Sequence, residues 1–270
     1  MEYSDEPRLV FSPLSERDYC DFYSLEMDDF TDDVCFYSSR LKKNDIVLEL
    51  GCGSGRLSRR IAPYCREVHG VDISAEMLHK AAQFPHTGIT YHHMDMTKIS
   101  FPSPFDVIII PYNTLNLLGD STAVEHCLHL CRQHLRRGGI LLLHLYHPDD
   151  RLMQSGGKKS FQFAILNTPN GDVIVKETLK SYHLETQTLR LEERYRVRPH
   201  SFSSEPKRDL SHTLLLYAPQ LRQWQKSLEN AGFSLTASPD STAASCYGSF
   251  TGTTFTATET TLLLINATAV

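Results

Sequence analysis

Residues 47–56 read Val-Leu-Glu-Leu-Gly-Cys-Gly-Ser-Gly-Arg, and they carry the densest chemistry in the chain. Gly51, Gly53 and Gly55 stand at alternate positions after a short apolar run. Glycine has no side chain to obstruct a ligand and tolerates positive φ, so such a turn lets backbone approach a bound molecule closely. The N–H groups that open the following helix would then face that molecule. A dinucleotide turn is normally spaced G-x-G-x-x-G and cradles a pyrophosphate. Here the spacing is G-x-G-x-G, and Glu49 lies two residues before the first glycine, where it would repel a phosphate. The combination suits a ligand bearing an ammonium group.

Two further carboxylates fall at the ends of the next strands. Asp72 can accept both hydroxyls of a ribose bound across the tip of the first strand, while Ser74 is better placed to cap the helix that follows. Asp95, in Met94-Asp95-Met96, can accept from the exocyclic amine of an adenine, with Met94, Met96 or Ile73 against the ring faces; as an alternative it is an ordinary turn acid. Met77, in the first turn of the helix after Ser74, joins the same ligand-side set. On the opposite side, Pro111-Tyr112-Asn113 follows a strand of an open sheet, where ligand crevices form. Asn113 could orient a nucleophile, and His144 and His147 flank the end of the next strand, where a histidine can serve as a general base. The remaining histidines and the pair Cys127 and Cys131 form no compact ligand set, so no metal is expected.

The elements that must position these groups alternate. Strands are expected near 46–50, 67–72, 89–93, 105–110 and 140–146. Helices are expected near 57–64, after Ser74, and through Val124, Leu128, Cys131 and Leu135 up to Gly138-Gly139. The alternation predicts a doubly wound, mostly parallel α/β sheet of Rossmann-like form. After Pro148 the rhythm changes to β-rich runs at 161–166, 173–182, 189–197 and 212–217, with a hairpin turn at Pro169-Asn170-Gly171-Asp172. A helix over 221–231 and strands at 233–237 and 260–265 complete a seven-stranded sheet, with a loop and hairpin over 238–258. The expected division is a helical lid (1–45), a ligand-binding core (46–150), an inserted small antiparallel sheet (151–218) and completion of the core sheet (219–270).

The segments Val47–Arg56, Val71-Asp-Ile-Ser-Ala-Glu-Met-Leu78, Met94-Asp-Met96, Phe105-Asp-Val-Ile-Ile-Ile110 and Leu135-Arg-Arg-Gly-Gly-Ile-Leu141 resemble the successive motifs of class I S-adenosylmethionine-dependent methyltransferases. Order and spacing agree over about residues 40–150. The remainder resembles a subgroup acting on small molecules, including amino-sugar N-methyltransferases, whose members carry a small antiparallel sheet after the fifth strand. The resemblance implies S-adenosyl-L-methionine as cofactor. It makes Gly51, Gly53 and Gly55 the cofactor turn and gives Glu49 the amino end, Asp72 the ribose and Asp95 the adenine. Arg56 would reach the cofactor carboxylate, and Tyr23 corresponds to a lid tyrosine at the methionine end, with Tyr19 as a competing candidate. Pro111, Tyr112 and Asn113 would face the transferred methyl and the acceptor.

Composition narrows the partners. The chain has 270 residues, 41% hydrophobic, with a formal net charge of −5, which argues against a broad electrostatic grip on nucleic acid. Charge is uneven, however. Asp28, Asp29, Asp32 and Asp33 make an acidic run that would suit a cationic amine substrate. Residues 151–220 lean basic, which motivates an RNA- or protein-modifying enzyme as the alternative to a small-molecule one. A non-catalytic cofactor-binding regulator is a third reading. Seven irregularly spaced cysteines fit reduced thiols. The N-terminus is acidic and polar, unlike a signal peptide, and no apolar run approaches the ~20 residues needed to cross a bilayer. These features predict a cytoplasmic protein without membrane contact, and a homodimer is left open.

Overall fold

The computed structural model describes residues 10–270 apart from 203, 206, 236–244 and 258–259. In chain order its elements are β1 (Ser12–Pro13), α1 (Glu16–Met27), α2 (Asp32–Ser38), β2 (Ile46–Leu50), α3 (Arg56–Ile61), β3 (Glu67–Asp72), α4 (Ala75–Ala82), β4 (Ile89–His93), β5 (Phe105–Ile110), α5 (Ser121–His134), β6 (Leu135–Tyr146), α6 (Asp150–Met153), β7 (Ser160–Asn167), β8 (Val173–His183), β9 (Thr188–Arg198), β10 (Arg208–Tyr217), α7 (Leu221–Asn230), β11 (Phe233–Ser234), β12 (Cys246–Tyr247) and β13 (Leu262–Ala269).

The larger sheet runs β11-β13-β6-β5-β2-β3-β4, with short β12 also paired to β13. Strands β2 to β6 are mutually parallel, and β13 is antiparallel to its neighbours. The expected mostly parallel seven-stranded sheet is present, and β12 is an eighth strand paired to β13. The parts of the expected strand at 233–237 and of the loop at 238–258 that fall on 236–244 and 258 lie outside the described residues. Successive side chains of a strand point to opposite faces, so each strand feeds two layers. Leu48, Leu50, Ile108 and Ile110 pack with Val124, Leu128 and Trp224 of α5 and α7. Val47, Val107 and Ile109 pack with Phe36, Tyr37, Leu57 and Ile61 of α2 and α3.

The smaller sheet runs β1-β10-β9-β8-β7 and is antiparallel except where β1 joins β10 in parallel. The hairpin turn forms where expected, with Thr168 N–H donating to the Asp172 carbonyl (3.0 Å) and Gly171 at φ +90. Strand β1 was not foreseen; a two-residue edge strand ending in Pro13 covers the free side of β10, a common way to blunt a sheet edge. Asn116, fully buried, welds the two sheets. Its amide donates to the Tyr217 carbonyl (2.7 Å) and accepts from Tyr146 N–H (3.0 Å). Helix α1 bridges them as well. Asp21 pairs with Lys80 of α4, while Asp18 pairs with Arg208 and Glu26 with Lys176 of the smaller sheet.

Candidate cofactor and acceptor cavity

A cavity of about 750 Å³ opens between the carboxyl ends of β2, β3 and β5, helix α1 and the inner face of the smaller sheet. It brings together Gly51, Gly53, Asp72, Ile73, Met77, Asp95 and Met96 on one side and Tyr23, Tyr112 and Asn113 on another. These ten sequence-identified residues come from five separate stretches of chain.

The glycine turn owes its shape to β3. Gly51 and Cys52 N–H both donate to the Val71 carbonyl (2.8 and 3.0 Å), and Gly53 N–H donates to Asp72 Oδ2 (2.7 Å). Three amides of the turn itself are thus bonded within the protein. Gly51 sits at φ +75, and a Cβ on it would run into the side chain of Thr114. At Gly53 (φ +55) a Cβ would stand about 4 Å from Met77 Sδ and Tyr23 Cε1, in the space facing the cavity. Asp72 is clamped from two sides, since its Oδ1 accepts from Ser74 N–H (2.9 Å). Burial nevertheless raises its carboxyl above the ordinary value. Ser74 caps α4, accepting from Met77 N–H (3.1 Å). Ile73 is 69% exposed at the cavity mouth, an apolar surface free to take a ring face. Asp95 lines the cavity and also holds its own turn, with Oδ1 accepting from Thr97 N–H (2.8 Å); the Thr97 bonds place its carboxyl below the ordinary range.

Glu49, Gly55, Arg56, Pro111, His144 and His147, also identified in the sequence, do not line the cavity. Glu49 alternates with Leu48 and Leu50, so it points into the α2–α3 layer, where it is 1% exposed and accepts from the Ser58 hydroxyl. Its expected contact with a ligand ammonium is therefore corrected to a buried carboxyl behind the turn. Burial pushes it from the ordinary 4.5 to about 8. The folded state then holds a proton that the unfolded chain releases, so stability should fall as pH rises between about 4.5 and 8. The slope is at most about 1.4 kcal/mol per pH unit. Glu49→Gln should flatten that part of a melting-temperature profile measured without ligand; an unchanged slope would show that another group causes it.

Arg56 is likewise turned away. Its guanidinium meets Asp33 with two bonds (2.9 and 2.6 Å) and the Phe30 carbonyl (2.8 Å), so it is committed to α2 instead of a cofactor carboxylate. Asp28 accepts from the Ser54 hydroxyl (3.3 Å). Asp28 thus ties the lid to the glycine turn and Asp33 ties it to α3, and the expected role of the acidic run toward a cationic substrate does not hold for them. Gly55 (φ +74) starts α3 against the Tyr91 hydroxyl, and Pro111 gives its carbonyl to Thr114 (2.6 Å). His144 is 6% exposed behind Tyr112, with ring centroids 5.6 Å apart, and burial pulls it down to about 3. It neither reaches the cavity nor takes up a proton near neutral pH, which corrects its expected part as a base.

Tyr112 and Asn113 adopt left-handed backbone at φ 49 and 62. Consecutive non-glycine residues there store strain, which concentrates at ligand sites. Asn113 N–H is held by the His144 carbonyl (2.9 Å), while its Oδ1 is buried without a partner, so it offers an acceptor to a bound N–H or O–H. Tyr23 and Tyr112 meet edge to face at 6.2 Å, closing the lid side over this point.

The smaller sheet adds groups that sequence reading missed. Lys176 bonds both Glu26 and Glu193 at 2.9 Å, and Glu193 also accepts from Tyr195 OH (2.9 Å) and bonds His212 Nε2 (2.6 Å). Despite burial, His212 and Lys176 bring the Glu193 carboxyl down to about 2. Every second residue of β8 and β9 faces inward, and charged residues on that face of an otherwise alternating strand were the available signal. By contrast the outer basic residues are largely paired, as in Arg196 with Glu177, Arg198 with Asp209 and Lys159 with Glu192. Among the described residues no group of three His, Cys, Asp or Glu could hold a metal, and no helix is long and apolar enough to cross a membrane.

Residues 47–139 match a family profile described as a methyltransferase domain. Over 103 residues the chain is 34% identical to YqeM of Bacillus subtilis, provisionally named a methyltransferase, covering 37% of this chain and 42% of that one. Over 207 residues it is 25% identical to protein arginine N-methyltransferase 2 of Dictyostelium discoideum, covering 70% and 40%. The chain spans less than half the length of the curated relatives it matches. Among solved structures it is similar to CalS10, an amino pentose methyltransferase from Micromonospora echinaspora, at 19% identity and a TM-score of 0.71, covering 97% and 100% of the two chains. It is similar also to the sugar N-methyltransferase KedS8 from Streptoalloteichus, at 16% identity and a TM-score of 0.69, covering 100% and 99%. At these identities the likeness is one of fold.

Proposed function

We propose that this chain, which carries a methyltransferase domain over residues 47–139, is an S-adenosyl-L-methionine-dependent methyltransferase that modifies a small molecule, with an amine nitrogen as the methylated atom. The observation that carries the reading is a single cavity with two chemically distinct ends. Asp72, Ile73 and Gly53 fit an adenosyl group at one end, and Asn113 with the inner face of the smaller sheet offers an acceptor pocket at the other. Gly53 supports the fit, because the space its missing side chain leaves opens beneath Tyr23 and Met77.

When bound, the cofactor supplies an electrophilic methyl carbon on a sulfonium. The protein's own task is to hold an acceptor in line and to keep water out, and orientation of this kind can supply several kcal/mol of barrier reduction, up to about 7–11. Asn113 Oδ1 would accept the acceptor's N–H and aim its lone pair. Tyr23 and Tyr112 would screen the reacting pair from solvent. A neutral amine needs no base, which accords with His144 lying outside the cavity. A small acceptor accords with a cavity of about 750 Å³, and the pairing of the outer arginines and lysines weakens the motive for RNA or protein as substrate. A cytoplasmic location is part of the reading, supported by seven free cysteines.

Calorimetry should detect S-adenosylhomocysteine with a micromolar or lower Kd, about −8 kcal/mol, and no binding would overturn the proposal. Labelled methyl transfer into a metabolite extract separates an enzyme from a regulator that merely binds the nucleoside.

A further inference from the structure

The inner face of the smaller sheet is laid out in transverse rows. Lys176 stands beside Ala164 and Tyr195, Thr178 beside Gln162 and Glu193, Lys180 beside Ser160 and Leu191, and Tyr182 beside Leu189. On β10, Leu214 and Leu216 continue the last two of these rows, opposite Leu191 and Leu189. Rows two residues apart are about 7 Å apart. The first two rows are internally compensated, because Lys176 is bonded to both Glu26 and Glu193 and Glu193 to His212. The third is not. Lys180 lines the same cavity beside Leu191 and makes no ion pair or hydrogen bond among the described residues. Burial and the nearby Lys176 lower its ammonium below the ordinary value, outweighing an opposite pull from Glu193 and Asp149. A cation kept unpaired beside apolar side chains inside a binding cavity is costly unless a ligand completes it.

We propose that Lys180 binds an anionic group, a carboxylate or a phosphate, on the acceptor, whose apolar part lies on Leu189, Leu191, Leu214 and Leu216. This rests on reading the cavity as a methyl-acceptor site and specifies the acceptor's class: an amphiphilic molecule with one anionic head and a nucleophile directed toward Asn113. The charged cluster around Lys176 and Glu193 stays as a fixed wall, with its charges already matched.

The test uses the full chain, with and without saturating S-adenosylhomocysteine, titrated by calorimetry with octanoate, octyl phosphate, octanol and octylamine. One or both anions should bind at least tenfold more tightly than the alcohol and the amine. Lys180→Met should erase that preference and Lys180→Arg should keep it. The ratio of octanoate to octyl phosphate affinity then distinguishes a carboxylate head from a phosphate. Equal binding of anion and alcohol, no anion binding at millimolar concentration, or a preference that survives in Lys180→Met would each overturn the proposal. The S-adenosylhomocysteine titration reports separately on the cofactor end, so a failure there sinks the proposed function, whereas its success without anion selectivity sinks only this inference.

Discussion

Asp33→Ala is expected to lower the unfolding free energy by about 3–5 kcal/mol, the usual cost of removing one partner from a buried ion pair. Asp33 is fully buried, and the Arg56 side chain is 9% exposed. The alanine variant would leave a guanidinium enclosed beneath α2 with only the Phe30 carbonyl and the Phe30 ring, 5.3 Å from Cζ, to stabilise it. Because domains of this kind are stable by only about 5–15 kcal/mol, the loss should appear as a large drop in the urea midpoint. The double variant Asp33→Leu with Arg56→Met removes both charges and should recover most of the loss, because apolar replacements of buried pairs are often neutral. A single variant within about 1 kcal/mol of the parent would mean that water reaches the pair.

The pair also shows where sequence stops being legible. Alternating strands and helices, the glycine turn and the acids at the ends of β3 and β4 are local patterns, and the doubly wound, mostly parallel sheet follows from them. Which way a residue near the turn faces is decided by strand alternation and by partners far along the chain. Glu49, Arg56 and His144 carry chemistry suited to a ligand, yet the first is turned inward by the period of β2, the second is claimed by Asp33 and the third is covered by Tyr112. Conversely, Glu26 and Lys176 meet across 150 positions of sequence, so neither could be recognised as half of a cluster. The buried, unpaired Oδ1 of Asn113 was equally invisible, since it depends on two consecutive left-handed residues that no turn-forming glycine announces.

Asp72→Ala is expected to weaken S-adenosylhomocysteine binding at least a hundredfold, close to 3 kcal/mol. Each hydrogen bond to a charged partner contributes about 1.5–3 kcal/mol, and in the proposed function the carboxylate accepts two from a ribose. It also organises its surroundings, with Oδ2 holding Gly53 N–H at 2.7 Å and Oδ1 holding Ser74 N–H at 2.9 Å. The alanine therefore removes the ribose contacts and leaves the glycine turn and the start of α4 without their common clasp. Asp72→Asn keeps one acceptor oxygen and should fall between, at about tenfold. His144→Ala is the control, because the ring lies behind Tyr112 and outside the cavity. It should lower the melting temperature through lost packing while leaving the Kd within about threefold, under 1 kcal/mol. Should Asp72→Ala bind as the parent does while His144→Ala does not, the adenosyl group would have to lie beyond Tyr112, and the two ends of the cavity would exchange roles.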